Sequence, residues 1–141
     1  ASDVYKRQLE NSLKTLRKVT KNRLICVFGC GGNRDVSKRA VMGAVAGRLA
    51  DFTVITSDNP RFEEPMEIIR DIESGLLKES RNFVVIQSRV EAIRYAARYA
   101  AKGDVVLVAG KGCEKYQEIL GIKHLYNDKD CIEKIYRETG N

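Results

Sequence analysis

The sequence predicts a doubly wound, Rossmann-like α/β domain, with a mostly parallel sheet, helices on both faces and a short edge hairpin near the C-terminus. Two observations carry this. Four short runs, Leu24 to Phe28, Phe52 to Thr56, Phe83 to Ile86 and Val105 to Ala109, are apolar almost throughout. A strand buried on both faces loses the polar alternation of a half-exposed one, as in a parallel sheet covered on two sides. The first three runs also lead through a polar loop into a segment of helical length. At 141 residues the chain has the size of one domain and can bury a core without disulfides or metals.

Taken in order, residues 9 to 18 (LENSLKTLRK) place Leu9, Leu13 and Leu16 at helical spacing, whereas ASDVYKRQ before them has no clear pattern. The first strand, LICVF, runs into Gly29-Cys30-Gly31-Gly32-Asn33-Arg34-Asp35 and a helix from Ser37 to Ala50. There Val41, Met42, Val45 and Leu49 form the expected apolar stripe, and Gly43 and Gly47 would let the helix approach a sheet. The second strand ends in Thr56-Ser57-Asp58-Asn59-Pro60-Arg61. Helix three starts near Pro65, a tolerated first-turn position, with Ile69, Ile72 and Leu76 inward and Glu63-Glu64 at its positive end.

The third strand exits through Gln87-Ser88-Arg89 into an alanine-rich helix, Val90 to Ala101, with Val90, Ile93, Ala97 and Ala100 as candidate inner positions. The fourth exits into Gly110-Lys111-Gly112-Cys113-Glu114. Glu118 to Leu120 and Lys123 to Tyr126 read as a hairpin, and Asp128 as the cap of a last helix through Arg137.

Composition narrows the function classes. Hydrophobic residues at 43% and charged ones at 31% are those of an ordinary globular protein, and no apolar run reaches the ~20 residues of a membrane helix. The net charge of +6 is spread along the chain among acidic residues, and the tyrosines form no stacking platform, so neither nucleic acid nor membrane is an expected partner. Cys26, Cys30, Cys113 and Cys131 contain no CxxC pair and His124 is remote from them, so no metal site is expected. Thiols in strand-like and helical positions indicate a reducing, cytoplasmic compartment.

In a doubly wound fold ligands bind beyond the carboxyl ends of the strands, where strand order reverses. With order 3-2-1-4, the loops after strands one, two and four line one crevice. Pro60 stiffens the second loop, so that Arg61 leaves it in a set direction with Asn59 beside it, a pair of donors suited to a carboxylate. Arg34 adds a cation and Glu114 an anion, together the pattern that recognises a zwitterionic amino acid. The GxG of Gly29 to Gly31 lacks the third glycine of a dinucleotide fingerprint, position 34 being Arg, and no Walker loop occurs.

Several of these motifs together resemble the C-terminal domain of the Mur ligases: LENSLKTLRK, VFGCGGNRDVSKR, TSDNPRFEEPMEII and VLVAGKGCEKYQEI. The resemblance covers residues 9–141 and leaves 1–8 as an unmatched N-terminal tail. It implies an ATP-dependent amide ligase of peptidoglycan synthesis, in which ATP phosphorylates a carboxylate and an amine attacks the acyl phosphate. DNPR is the family's signature for meso-diaminopimelate, added to UDP-MurNAc-L-Ala-D-Glu, and lysine-adding relatives usually replace the arginine.

Carried onto this chain, the resemblance assigns Arg34, Asp58, Asn59, Pro60, Arg61, Gly110 and Glu114 to the diaminopimelate site. Asp35, Lys38 and Arg39 fall on the ATP side. No catalytic residue is expected here, because the P-loop, the UDP-binding domain and the central-domain lysine are not in the sequence; ATP and Mg2+ would be held mainly by that central domain. The chain therefore reads as a fragment. It departs from the family pattern at Cys113, where GKGHE has histidine, and at Asn33, a common aspartate. The alternatives are a Mur-type domain for L-lysine or another amino acid, and a non-catalytic Rossmann-like ligand-binding module.

Overall fold

A computed structural model describes residues 2–111 and 116–138. The elements are α1 (Ser2–Arg17), β1 (Leu24–Phe28), α2 (Ser37–Leu49), β2 (Phe52–Ile55), α3 (Pro65–Leu76), β3 (Phe83–Val85), α4 (Arg89–Tyr99), β4 (Val105–Val108), β5 (Tyr116–Ile119), β6 (Ile122–Leu125) and α5 (Asp128–Glu138). Strands β1 to β4 pair in parallel in the order β3-β2-β1-β4, and β5 and β6 form a separate antiparallel pair. Phe28 pairs with Ile55 and Val27 with Val108, so the exits of β1, β2 and β4 lie level on one rim.

The pleat divides the core in two. Leu24, Cys26 and Phe28 of β1 join Leu9 and Leu13 of α1, Val45 of α2 and Ile69 and Ile72 of α3 on one face. Ile25 and Val27 join Ala92, Ile93 and Ala96 of α4 and Ile135 of α5 on the other. This follows from strand order: the crossovers β1-α2-β2-α3-β3 advance one way, β3-α4-β4 returns, and a right-handed connection then has to use the opposite face. β1, at the centre, is buried along its whole length, whereas the equally apolar β4 is an edge strand and stays half-buried.

Several expected details shift. α1 reaches back to Ser2; Val4 and Tyr5 are exposed, and the good helix formers Lys6, Arg7 and Gln8 join this first turn to the amphipathic part of the helix. In α2, Val41 is exposed and Ala46 buried, because the helix leans on α3 as well as on the sheet. Its glycines serve that helix crossing: a Cβ on Gly43 would lie 2.1 Å from the Ile72 carbonyl oxygen, and one on Gly75 of α3 would lie 1.8 Å from that of Ala40. In α4 the inner face is Ala92, Ile93 and Ala96, while Val90 and Ala97 are exposed. α5 is capped by Asn127, whose Oδ1 accepts from the Asp130 N–H, leaving Asp128 for another partner.

Opposite the ligand rim, Arg23 grips Asp104 with Nε at 3.1 Å and Nη2 at 2.7 Å. The Arg23 side chain, then the Ala101 and Arg23 backbone N–H groups, hold the Asp104 carboxyl down at about 2 against an ordinary 3.8. A carboxyl lowered in the folded state stabilises it above the unfolded value, and that contribution is lost as pH falls towards 2. The midpoint of thermal unfolding, followed from pH 6 to pH 2, is expected to drop more steeply for the native chain than for Asp104→Asn; parallel curves would contradict this.

Candidate functional site

The rim loops are bound to one another. The Gly32 N–H donates to the Asn59 carbonyl at 2.7 Å, and any Cβ on Gly32 would fall 1.9 Å from the Pro60 carbonyl oxygen, so only glycine permits this contact. Asn33, in the left-handed region at φ 54°, donates its N–H to Glu63 and accepts from the Phe62 N–H. The Arg39 side-chain hydrogen bond and then the Asn33 N–H hold the Glu63 carboxyl below its usual value.

Arg61 also has a positive φ, 53°, unusual for a long side chain. Its Nη1 donates to the carbonyls of Gly32 (3.0 Å) and Asn59 (3.3 Å), and its Nε lies 3.6 Å from a Glu118 carboxylate oxygen. Nη2 has no protein partner among the described residues. Arg34 is exposed, donates to the neighbouring Asn33 carbonyl and has no carboxylate partner among the described residues. Both side chains approach the same side of Gly31: the position a Cβ would take there is 2.8 Å from Arg61 Nη1 and 3.5 Å from Arg34 Cγ.

The remaining candidates divide by role. Asn59 is 2% exposed, and its Oδ1 accepts from Lys111 Nζ (2.8 Å) and the Glu118 N–H (2.9 Å). That turns the acceptor end inward and leaves Nδ2 as its donor. Asp58 lies 3.0 Å from Lys111 Nζ, with its second oxygen towards Gly110, whose φ of 111° favours glycine. Pro60 is buried beneath the turn. Glu114 and Cys113 lie outside the described residues.

Of the three residues assigned to the ATP side, Asp35 caps α2, accepting from the Ser37 N–H (3.0 Å) and hydroxyl (2.6 Å), and Lys38 is half-buried in the first turn. Arg39 does not face the rim. It is buried, paired with Glu63 (2.8 Å) and Asp71 (3.0 Å), and donates to the Gly31 carbonyl, so it ties the first loop to α3 from within.

Beneath the rim is a charged layer that the sequence reading missed. Buried Lys111 donates to Asn59 Oδ1 and the Tyr116 carbonyl (3.0 Å), joining the second loop, the fourth loop and β5. Arg89, 2% exposed, grips Asp128 with two hydrogen bonds of 2.8 Å and donates to the carbonyls of Ser57 (3.1 Å) and Ala109 (3.0 Å). Burial alone would raise the Asp128 pKa, but the Arg89 hydrogen bonds and charge, with the Tyr126 hydroxyl, outweigh it and leave the carboxyl below its usual value. Burial and then the hydrogen bond to Asp128 push the Tyr126 hydroxyl up. A charged residue within three positions of the end of an apolar run was the available signal for Arg89 and Lys111, but no spacing marks a partner 39 residues away.

The profile of the family described as Mur ligase, glutamate ligase domain, matches residues 6–112. The chain belongs to the Mur ligase family. Its similarity to named Mur ligases is high: 47% identity over 132 residues, 94% of this chain, to UDP-N-acetylmuramoyl-L-alanyl-D-glutamate--2,6-diaminopimelate ligase of Alkaliphilus metalliredigens. Identity is 51% over 117 residues, 82% of this chain, to the protein of that name from Bacteroides thetaiotaomicron. A solved structure of a ligase of this name superposes with a TM-score of 0.91 at 39% identity, over 96% of this chain and 28% of that one. The chain spans about a quarter of the length of these Mur ligases, 27% and 24% of the two relatives. No helix among the described residues is long and apolar enough to cross a membrane.

Proposed function

We propose that this domain recognises the amino acid added by an ATP-dependent Mur ligase, and that this amino acid is meso-diaminopimelate, joined in the cytoplasm to UDP-MurNAc-L-Ala-D-Glu. The observation that carries the reading is that the Arg61 guanidinium and the Arg34 side-chain stem meet beside Gly31, with Arg61 Nη2 and the Arg34 guanidinium lacking a carboxylate partner among the described residues. Asn59 Nδ2 adds a neutral donor on the same turn. These donors suit the carboxylate at the far end of the diamino acid, and lysine has no group there.

The far carboxylate would gain charged partners at Arg61 Nη2 and Arg34 that lysine cannot engage, which gives selectivity against the shorter ligand. Gly110 and Glu114, on the loop after β4, are proposed to take the amine of the same ligand. Holding the far end fixes the reacting amine in place, and positioning of that kind is the domain's contribution to the rate.

The described residues fit neither ATP nor Mg2+ by themselves. They contain no group of three metal-ligating side chains, and the sequence has no Walker spacing. We assign both to the rest of the ligase, with Asp35 and Lys38 of this domain facing that side. Titration calorimetry on the complete ligase carrying this domain tests the substrate. meso-Diaminopimelate is expected to bind more tightly than L-lysine; equal or preferential binding of lysine would sink the assignment.

A further inference from the structure

We propose that the β5–β6 hairpin is a clasp that sets the Arg61 guanidinium for its ligand, with Glu118 as the positioning residue; this rests on reading Arg61 as the donor to a ligand carboxylate. The hairpin holds the Asp58 to Arg61 turn at successive residues. Gln117 Nε2 donates to the Asp58 carbonyl at 2.8 Å, and the Glu118 N–H donates to Asn59 Oδ1 at 2.9 Å. The Arg61 N–H donates to the Glu118 carbonyl at 3.0 Å, and the Leu120 N–H to the Arg61 carbonyl. Arg61 and Ile119 thereby form an isolated parallel bridge.

Glu118 is the one residue of β5 bonded to both Asn59 and Arg61, and it adds its carboxylate 3.6 Å from Arg61 Nε. An arginine with φ 53° persists only where its surroundings impose that conformation, and here the main chain of β5 does so. At the side chain, Glu118 holds the Nε edge and the Gly32 carbonyl holds Nη1. The guanidinium is thus fixed with Nη2 uncommitted, and a ligand meets it without having to order it.

A carboxylate beside Arg61 also repels an incoming carboxylate, so the two roles of Glu118 predict opposite signs. Positioning prevails because Arg34, whose Cγ meets the same side of Gly31 as Arg61 Nη1, supplies a second cation at the rim that offsets the local negative charge.

Glu118→Gln keeps the side chain's shape and all main-chain bonds of the clasp while removing the charge. In the complete ligase, the expected result is a KM for meso-diaminopimelate raised roughly tenfold, the order of a sub-ångström misplacement. kcat should stay within about twofold and KM for L-lysine should not move, because lysine does not engage Arg61. A KM for meso-diaminopimelate that is unchanged or lower overturns the proposal. So does a parallel loss of kcat and of both substrates with a lower Tm, the mark of a structural role only. If the native ligase does not prefer meso-diaminopimelate, the substrate reading fails and takes this inference with it. If it does prefer it, and Arg61→Ala is impaired but Glu118→Gln is not, the clasp alone fails.

Discussion

Replacing Arg61 by alanine in the complete ligase is expected to lower kcat/KM for meso-diaminopimelate by about 2–4 kcal/mol, roughly 30- to 1,000-fold. The size follows from the site's construction. Arg61 is 15% exposed at its side chain and held by carbonyls, so its loss leaves a ligand carboxylate desolvated without its charged partner. Turnover of L-lysine should change little, and selectivity between the two substrates should collapse. Arg61→Gly is a useful companion: it removes the same guanidinium but also relieves the positive φ, so it should be as impaired in catalysis yet no less stable than Arg61→Ala. Near-native activity of both variants towards meso-diaminopimelate would refute the role given to Arg61.

The largest effect on stability is expected at Arg89, buried beneath the rim. Arg89→Met leaves Asp128 buried with only the Tyr126 hydroxyl, and strips the Ser57 and Ala109 carbonyls of their donor. Breaking a buried pair by removing one partner costs about 3–5 kcal/mol, against a total stability of about 5–15 kcal/mol for a domain. Urea unfolding of the 141-residue chain measures it directly. Arg89→Met combined with Asp128→Leu should recover part of the loss, because the uncompensated charge is gone although the carbonyls remain unpaired. A single-variant loss below about 1 kcal/mol would mean that water reaches the pair and that the layer does not brace the rim.

The two residues illustrate what sequence reasoning reached. Arg61 was legible because a local rule points to it: Pro60 restricts the turn, the turn follows an apolar strand, and a parallel sheet puts strand exits on one rim. Arg34 was legible in the same way, as a cation in a glycine loop. Arg39, assigned to the ATP side, is instead buried and paired with Glu63 and Asp71. Nothing local marks this, since it depends on which side of the first turn of α2 meets α3. Lys111, in the glycine-rich loop after β4, is the buried cation joining two rim loops to β5.

The class of fold, the strands and the rim that gathers the loops are legible in the sequence. All of these follow from short-range rules: apolar runs, helical spacing, and the stiffness of proline. Which charges are paired inside the fold is visible in the tertiary structure alone, because Arg89 and Asp128, or Lys111 and Asn59, are 39 and 52 residues apart and meet through strand order and register. Whether a charge is satisfied depends on the groups that surround it after folding, and a periodic pattern along one segment does not contain them.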